Sequence, residues 1–162
     1  MKNKIIISCF FLLFLSLFSV RAQQNLKINS IFSNYGMQEE SILVELSTDV
    51  LSNNTKISFY KSLVMTENAI RANDCMEAIK QDLTGGAKLI ESVKNGKVET
   101  GYYVLKHDKK DKEYEYILYK NKSKKITLVY LKGNFPPQKL EQELDKLKDL
   151  FIYVNKKRIK LN

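Results

Sequence analysis

The residues in this chain suited to bond-making are few and scattered. Hydrolysis by a side-chain nucleophile needs a neighbouring base, usually histidine. The one histidine, His107, sits in the charged loop KHDKKDK at 106–112, where solvation is its expected role. Zinc needs several His or Cys ligands, and one histidine with two distant cysteines does not supply them. Asp108 and Asp111 lack the dense carboxylate spacing of a calcium loop. Gly85-Gly86 has no Lys-Ser/Thr after it and ends a helix rather than opening one, so it is a helix stop and not a phosphate loop. Glu39-Glu40 and the pair Glu113/Glu115 are the carboxylates a glycosidase would draw on. Glu113 and Glu115 stand two apart on a strand, opposite Tyr114 and Tyr116, as on the polar side of any amphipathic strand. The sequence thus predicts no catalytic residue, no metal site and no cofactor.

The aromatic residues say more. Tyr102, Tyr103, Tyr114, Tyr116, Tyr119 and Tyr130 all fall within 98–132. Tyrosine suits strands, so these rings can fill a core. Strand faces alternate, so some could instead point outward, beside lysines, and stack on a sugar, a base or a protein. The candidate binding face is Tyr102, Tyr103, Tyr116 and Tyr119 with Lys106, Lys109 and Lys110.

These residues must be held by alternating strands. Residues 26–35 place Ile28, Ile31, Phe32 and Tyr35 at helical spacing, and Gly36 stops the pattern. Segments 41–46 and 57–65 read as strands. Thr66 is the expected cap of a helix whose apolar face holds Ala69, Ala72, Met76, Ile79 and Leu83. Four strands follow, at 88–94, 98–105, 113–119 and 125–132, as a meander. Asn95-Gly96 is a strong hairpin turn, and 121–124 turns the chain again. Pro136-Pro137 opens a last helix, with Leu140, Leu144, Leu147 and Phe151 as its stripe. The prediction is an α+β fold. It is a two-layer sandwich in which a mainly antiparallel sheet, with its four-stranded C-terminal meander, has one dry face covered by two or three helices.

The chain start has a separate role. Lys2 and Lys4 precede an apolar run at 5–20, and Val20-Arg21-Ala22 presents small or β-branched residues where a signal peptidase reads. This order is that of a secretory signal, with cleavage expected after Ala22. The run is shorter than the roughly 20 apolar residues of a spanning helix. Cys9 lies within it. The remainder, 23–162, is one domain in which Cys75 has no cysteine to pair with, so it is either buried or reactive, and burial is the expectation. Without Lys2, Lys4 and Arg21 the net charge falls from +9 to +6, with acids mixed among the bases. The tail 152–162 is basic and expected to be loose.

Several stretches carry a resemblance. Ile31-Phe32-Ser33-Asn34-Tyr35-Gly36, Val44-Glu45-Leu46-Ser47, Tyr60-Lys61-Ser62-Leu63, Val93-Lys94-Asn95-Gly96-Lys97 and Gly101-Tyr102-Tyr103 together resemble small exported Bacteroidales proteins of domain-of-unknown-function families. The resemblance spans roughly residues 26–132. It implies an envelope protein of a Gram-negative bacterium, hence periplasmic or secreted, and brings no activity with it. The expected function is a non-catalytic exported module that binds an envelope protein or cell-surface component. The alternative is a binder of anionic lipid head group, glycan or nucleic acid through the basic tail and the 106–112 loop. Of these, nucleic acid is the least expected.

Overall fold

The computed structural model describes residues 26–51, 55–107, 110 and 112–147, and the backbone of 148, 151–154 and 157–160. The expected signal segment 1–22 lies outside the described residues, as do Asp108, Lys109 and Asp111. The elements run α1 (Ile28–Gly36), β1 (Ile42–Ser47), β2 (Ile57–Thr66), α2 (Ala69–Asp82), β3 (Ala87–Lys94), β4 (Lys97–Val104), β5 (Tyr114–Lys122), β6 (Lys125–Gly133), a 3-10 turn Pro137–Lys139, α3 (Leu140–Lys148), β7 (Phe151–Val154) and β8 (Lys157–Lys160). The fold is α+β, built on an antiparallel six-stranded sheet ordered β1-β2-β6-β5-β4-β3.

The sheet is wider than the meander alone, because β2 adds to β6 and β1 adds to β2. Its central strands are dry on both faces, which corrects the expected two-layer arrangement. On one face Leu63, Met65, Tyr103, Ile117, Tyr119, Ile126, Leu128 and Tyr130 meet Ile28, Ile31 and Phe32 of α1 and Cys75, Ala78 and Ile79 of α2. On the other, Tyr60, Val104, Tyr116, Leu118, Val129 and Leu131 meet Phe135 and Leu140 and Leu147 of α3. The central strands therefore read as nearly continuous apolar runs, such as Tyr116-Ile117-Leu118-Tyr119. Each side chain removed from water contributes about 1.5–3 kcal/mol, so the two faces together outweigh what one could supply.

Local chemistry sets the ends. Asn95 and Gly96 have φ of 52° and 74°, and Ser123 and Lys124 have 57° and 61°. Both hairpins thus close through left-handed pairs, which match the twist of the flanking strands. Gly85 at φ 79° ends the chain segment after α2. The cap of α2 is Asn68, whose Oδ1 accepts from Arg71 N at 2.8 Å; Thr66 is still paired in β2, opposite Lys125. Lys27 at the start of α1 supplies no side-chain cap. Instead Asp82, the last residue of α2, accepts from Lys27 N at 2.7 Å and Ile28 N at 2.8 Å. A carboxylate there complements the positive end of the α1 dipole.

The last helix is shorter than its pattern. It ends at Lys148, and Phe151 starts β7. The backbone of the expected loose tail pairs as a hairpin, with Ile152 opposite Ile159 and Tyr153 opposite Arg158.

Candidate functional site

The sequence-predicted tyrosines do not share an open face. Tyr103 and Tyr119 are 1% exposed on the α1/α2 side of the sheet, and Tyr116 is fully buried on the α3 side. Tyr102 is half-buried against the α3-side core. Tyr103 donates to Glu91 Oε2 at 2.9 Å, and Tyr116 donates to the Phe135 carbonyl at 2.6 Å while stacking on that ring at 5.2 Å. Burial pushes the hydroxyls of Tyr103 and Tyr116 above the ordinary phenol range, and that of Tyr119 up to about 12. They are neutral core anchors. Lys106 and Lys110 are exposed at the β4–β5 connection, whereas those rings are buried; Lys109 lies outside the described residues. The His107 ring stacks on Tyr114 at 3.9 Å, and its Nδ1 lies 3.2 Å from the Glu113 carbonyl. Cys75 is buried, and desolvation pushes its thiol up to about 12, so it carries no thiolate at neutral pH. Among the described residues no group of three His, Cys, Asp or Glu side chains is placed to hold a metal ion.

The richest polar arrangement lies on the α1/α2 side, at the end of the sheet away from the two hairpin turns. A cavity of about 320 Å³ is lined by Glu45, Thr48, Ser58, Phe59, Lys61, Glu113, Tyr130 and Lys132, with Asn29 of α1 above it. Register explains the gathering. Glu45 pairs with Lys61, Lys61 with Tyr130, and Glu115 with Lys132 across neighbouring strands. Lys61 Nζ lies 2.8 Å from Glu45 Oε2, and Lys132 Nζ lies 3.4 Å from Glu115 Oε1. Tyr130 donates to the other oxygen of Glu115 at 2.5 Å. Burial, and then this bond to a carboxylate, raise the Tyr130 hydroxyl far above its usual value, so it stays a donor.

Lys132 is only 7% exposed. Removing an ammonium from water costs several kcal/mol, against which Lys132 has the Glu115 carboxylate and, 5.9 Å away, the face of the Tyr130 ring. Glu115, one-third exposed, is therefore more than a carboxylate on the polar side of an amphipathic strand; it is the partner of a buried cation. Alternation along β6 held this signal: Lys132 continues the series Ile126, Leu128, Tyr130, all inward-facing. A charged residue in phase with a core stripe marks a site where a charge is kept inside.

The strand that borders this cavity is also the barest edge of the sheet. Among the described residues β1 has β2 on one side and no strand on the other. Its sequence, ILVELS, carries one charge, and Ile42 and Leu43 are 63% and 37% exposed. Met37, just before it, is 91% exposed. The opposite edge, β3, is guarded differently. It carries Lys88, Glu91 and Lys94 and two register irregularities against β4. Charges and bulges block the addition of a further strand, and β1 lacks both protections except for Glu45. Glu45 belongs to the edge strand and to the cavity wall at once.

No curated protein matches this chain. A family model matches residues 15–144, which cover the cavity, the β1 edge and both cores except Leu147. The chain belongs to that family, DUF6108, a family of unknown function.

Proposed function

We propose that this protein is a non-catalytic, exported envelope module that captures a protein partner by strand addition along β1. The single observation that carries the reading is the bare apolar edge Ile42–Ser47, whose one acid, Glu45, also lines the charged cavity. An extended peptide placed beside β1 gains main-chain hydrogen bonds from the edge. Its alternate side chains face the cavity, where Lys61, Glu45 and Glu113 offer both signs of charge. Main-chain bonds give affinity in such a pairing and the pockets give selectivity. The leader-like residues 1–22 support an envelope location, and a partner there is an envelope protein or cell-surface component. The cavity lysines are paired with carboxylates and its tyrosine hydroxyl is held protonated, which supports recognition of polar groups as the role of this site.

The test is crosslinking in intact cells, followed by purification of the full chain and of Ile42→Lys. Ile42 is exposed, so a lysine there leaves the cores intact while charging the edge. The expected result is one crosslinked protein partner that Ile42→Lys loses by about tenfold or more. An unchanged partner with the variant would discard the β1 site. Recovery of the chain in the cytosol alone, with its leader uncleaved, would discard the envelope location.

A further inference from the structure

The other end of the sheet has a different electrostatic character. The β3–β4 and β5–β6 turns project there side by side. They bring Lys94, Lys97, Lys120, Lys122, Lys124 and Lys125 to one end, all exposed. A shallow hollow of about 530 Å³ lies between the turns, lined by Lys94, Lys97 and Lys122 with only Glu67 and Glu99 as acids. The closest ion pair, Lys94 to Glu99, is loose at 4.0 Å. A second hollow of about 350 Å³ adjoins it and shares Lys97, Val98 and Asn121; its floor is apolar, from Ala69, Ala72, Met76 and Tyr119.

Two features make this more than a solvated rim. Lys94 sits directly opposite Lys97, and Lys122 directly opposite Lys125, at the closing positions of both hairpins. Like charges facing each other across a ladder destabilise it, and the chain carries that cost twice at one end. Second, exposed apolar side chains lie at this end: Val93, next to Lys94 in the chain, at 59%, and Ile70, next to Ala69 of the second hollow, at 71%.

We propose that this end docks on a membrane surface carrying anionic phospholipid head groups. Phosphates approaching the paired lysines relieve both like-charge pairs, and each lysine near an anionic bilayer strengthens binding severalfold. Val93 and Ile70 then enter the interface beside the head groups. The charge complementarity commits the surface to an anion, and the breadth and shallowness of the hollow suit a bilayer plane. The β1 edge and its cavity stay free for the proposed partner, so the two readings stand or fall separately.

The experiment is flotation of the full chain with vesicles of phosphatidylcholine, with and without phosphatidylglycerol, at low and raised salt. The variant is Lys97→Glu with Lys122→Glu. It turns each like-charge pair into an opposite-charge pair, so the hairpins gain stability while the end loses its charge. A milder version, Lys97→Gln with Lys122→Gln, serves if the first fails to fold. The expected result is flotation only with the anionic vesicles, weakened by salt, and cut at least about tenfold by the variant. Lys106→Glu with Lys110→Glu, on the β4–β5 loop, leaves it unchanged. Equal flotation with neutral vesicles, no flotation, or flotation unaffected by the Lys97/Lys122 variants would overturn the proposal. So would capture of heparin or an oligonucleotide without any flotation.

Discussion

Gly101 and Tyr103 form a single packing unit on β4. A β-carbon placed on Gly101 would lie 2.1 Å from the Tyr103 hydroxyl oxygen and 2.5 Å from Cζ. The tyrosine ring folds back over the glycine two residues earlier, which brings its hydroxyl to Glu91 on β3. Gly133 and Phe135 repeat the relationship: there a β-carbon would meet Cε1 of Phe135 at 2.1 Å. In each case a glycine makes room for an aromatic ring that closes one of the two cores.

Gly101→Ala must push the Tyr103 ring out of its place and break the bond to Glu91. Overpacking of this kind costs about 1–3 kcal/mol. Tyr103→Phe keeps the ring and removes only the hydroxyl, at about 1 kcal/mol. Urea unfolding should rank the two in that order. Equal losses would mean that the hydrogen bond, and not the ring, dominates.

Lys132 and Glu115 supply a second prediction. Lys132→Met removes the buried cation and leaves Glu115 held by Tyr130 alone, a loss of about 2 kcal/mol or less, because Glu115 is one-third exposed. The double change Lys132→Met with Glu115→Gln removes both charges and should recover most of that loss. A double-mutant cycle by chemical denaturation measures the coupling. Coupling near zero would show that the pair is not an energetic unit.

Glu143 predicts acid sensitivity. It is 3% exposed on α3 and accepts from Lys56 N at 2.8 Å, Thr55 Oγ1 at 3.1 Å and Lys146 Nζ at 2.7 Å. Burial alone would raise its pKa, but these donors outweigh it and hold the carboxyl below its usual value. A carboxyl with a lower pKa in the folded state binds fewer protons there than in the unfolded chain. Its stabilising contribution is therefore full above the unfolded pKa of about 4.3 and is lost as pH falls toward the folded value. Glu143→Gln should lower stability at neutral pH by about 1–3 kcal/mol and flatten the decline between neutral pH and acid. Parallel denaturation curves at several pH values would show it; a variant with the same acid slope as the parent would refute the assignment to Glu143.

How far the sequence carried depends on how local each signal was. Strand alternation and the Asn95-Gly96 turn placed six strands within a few residues of their positions, because both are written in adjacent residues. The same alternation misled about layers. Tyr116-Ile117-Leu118-Tyr119 looks like one dry face with either Tyr116 or Tyr119 pointing outward, yet α3 covers the second side, and a ring facing a distant helix is invisible in a local pattern. Thr66 was an adequate cap by type, but β2 runs on through it to pair with Lys125, and Asn68 takes the role.

The family of the chain, its α+β class, its strand periodicity and its poverty in histidine and cysteine are properties of the linear sequence, since each rests on residue type or on near neighbours. Tertiary structure alone decided the rest. Strand order put β1 at a bare edge, register drew Glu45, Lys61, Tyr130 and Lys132 into one cavity, and the two hairpins laid six lysines side by side. Those meetings join residues dozens of positions apart, and only the pairing of strands, fixed by burial on both faces of the sheet, sets which of them touch.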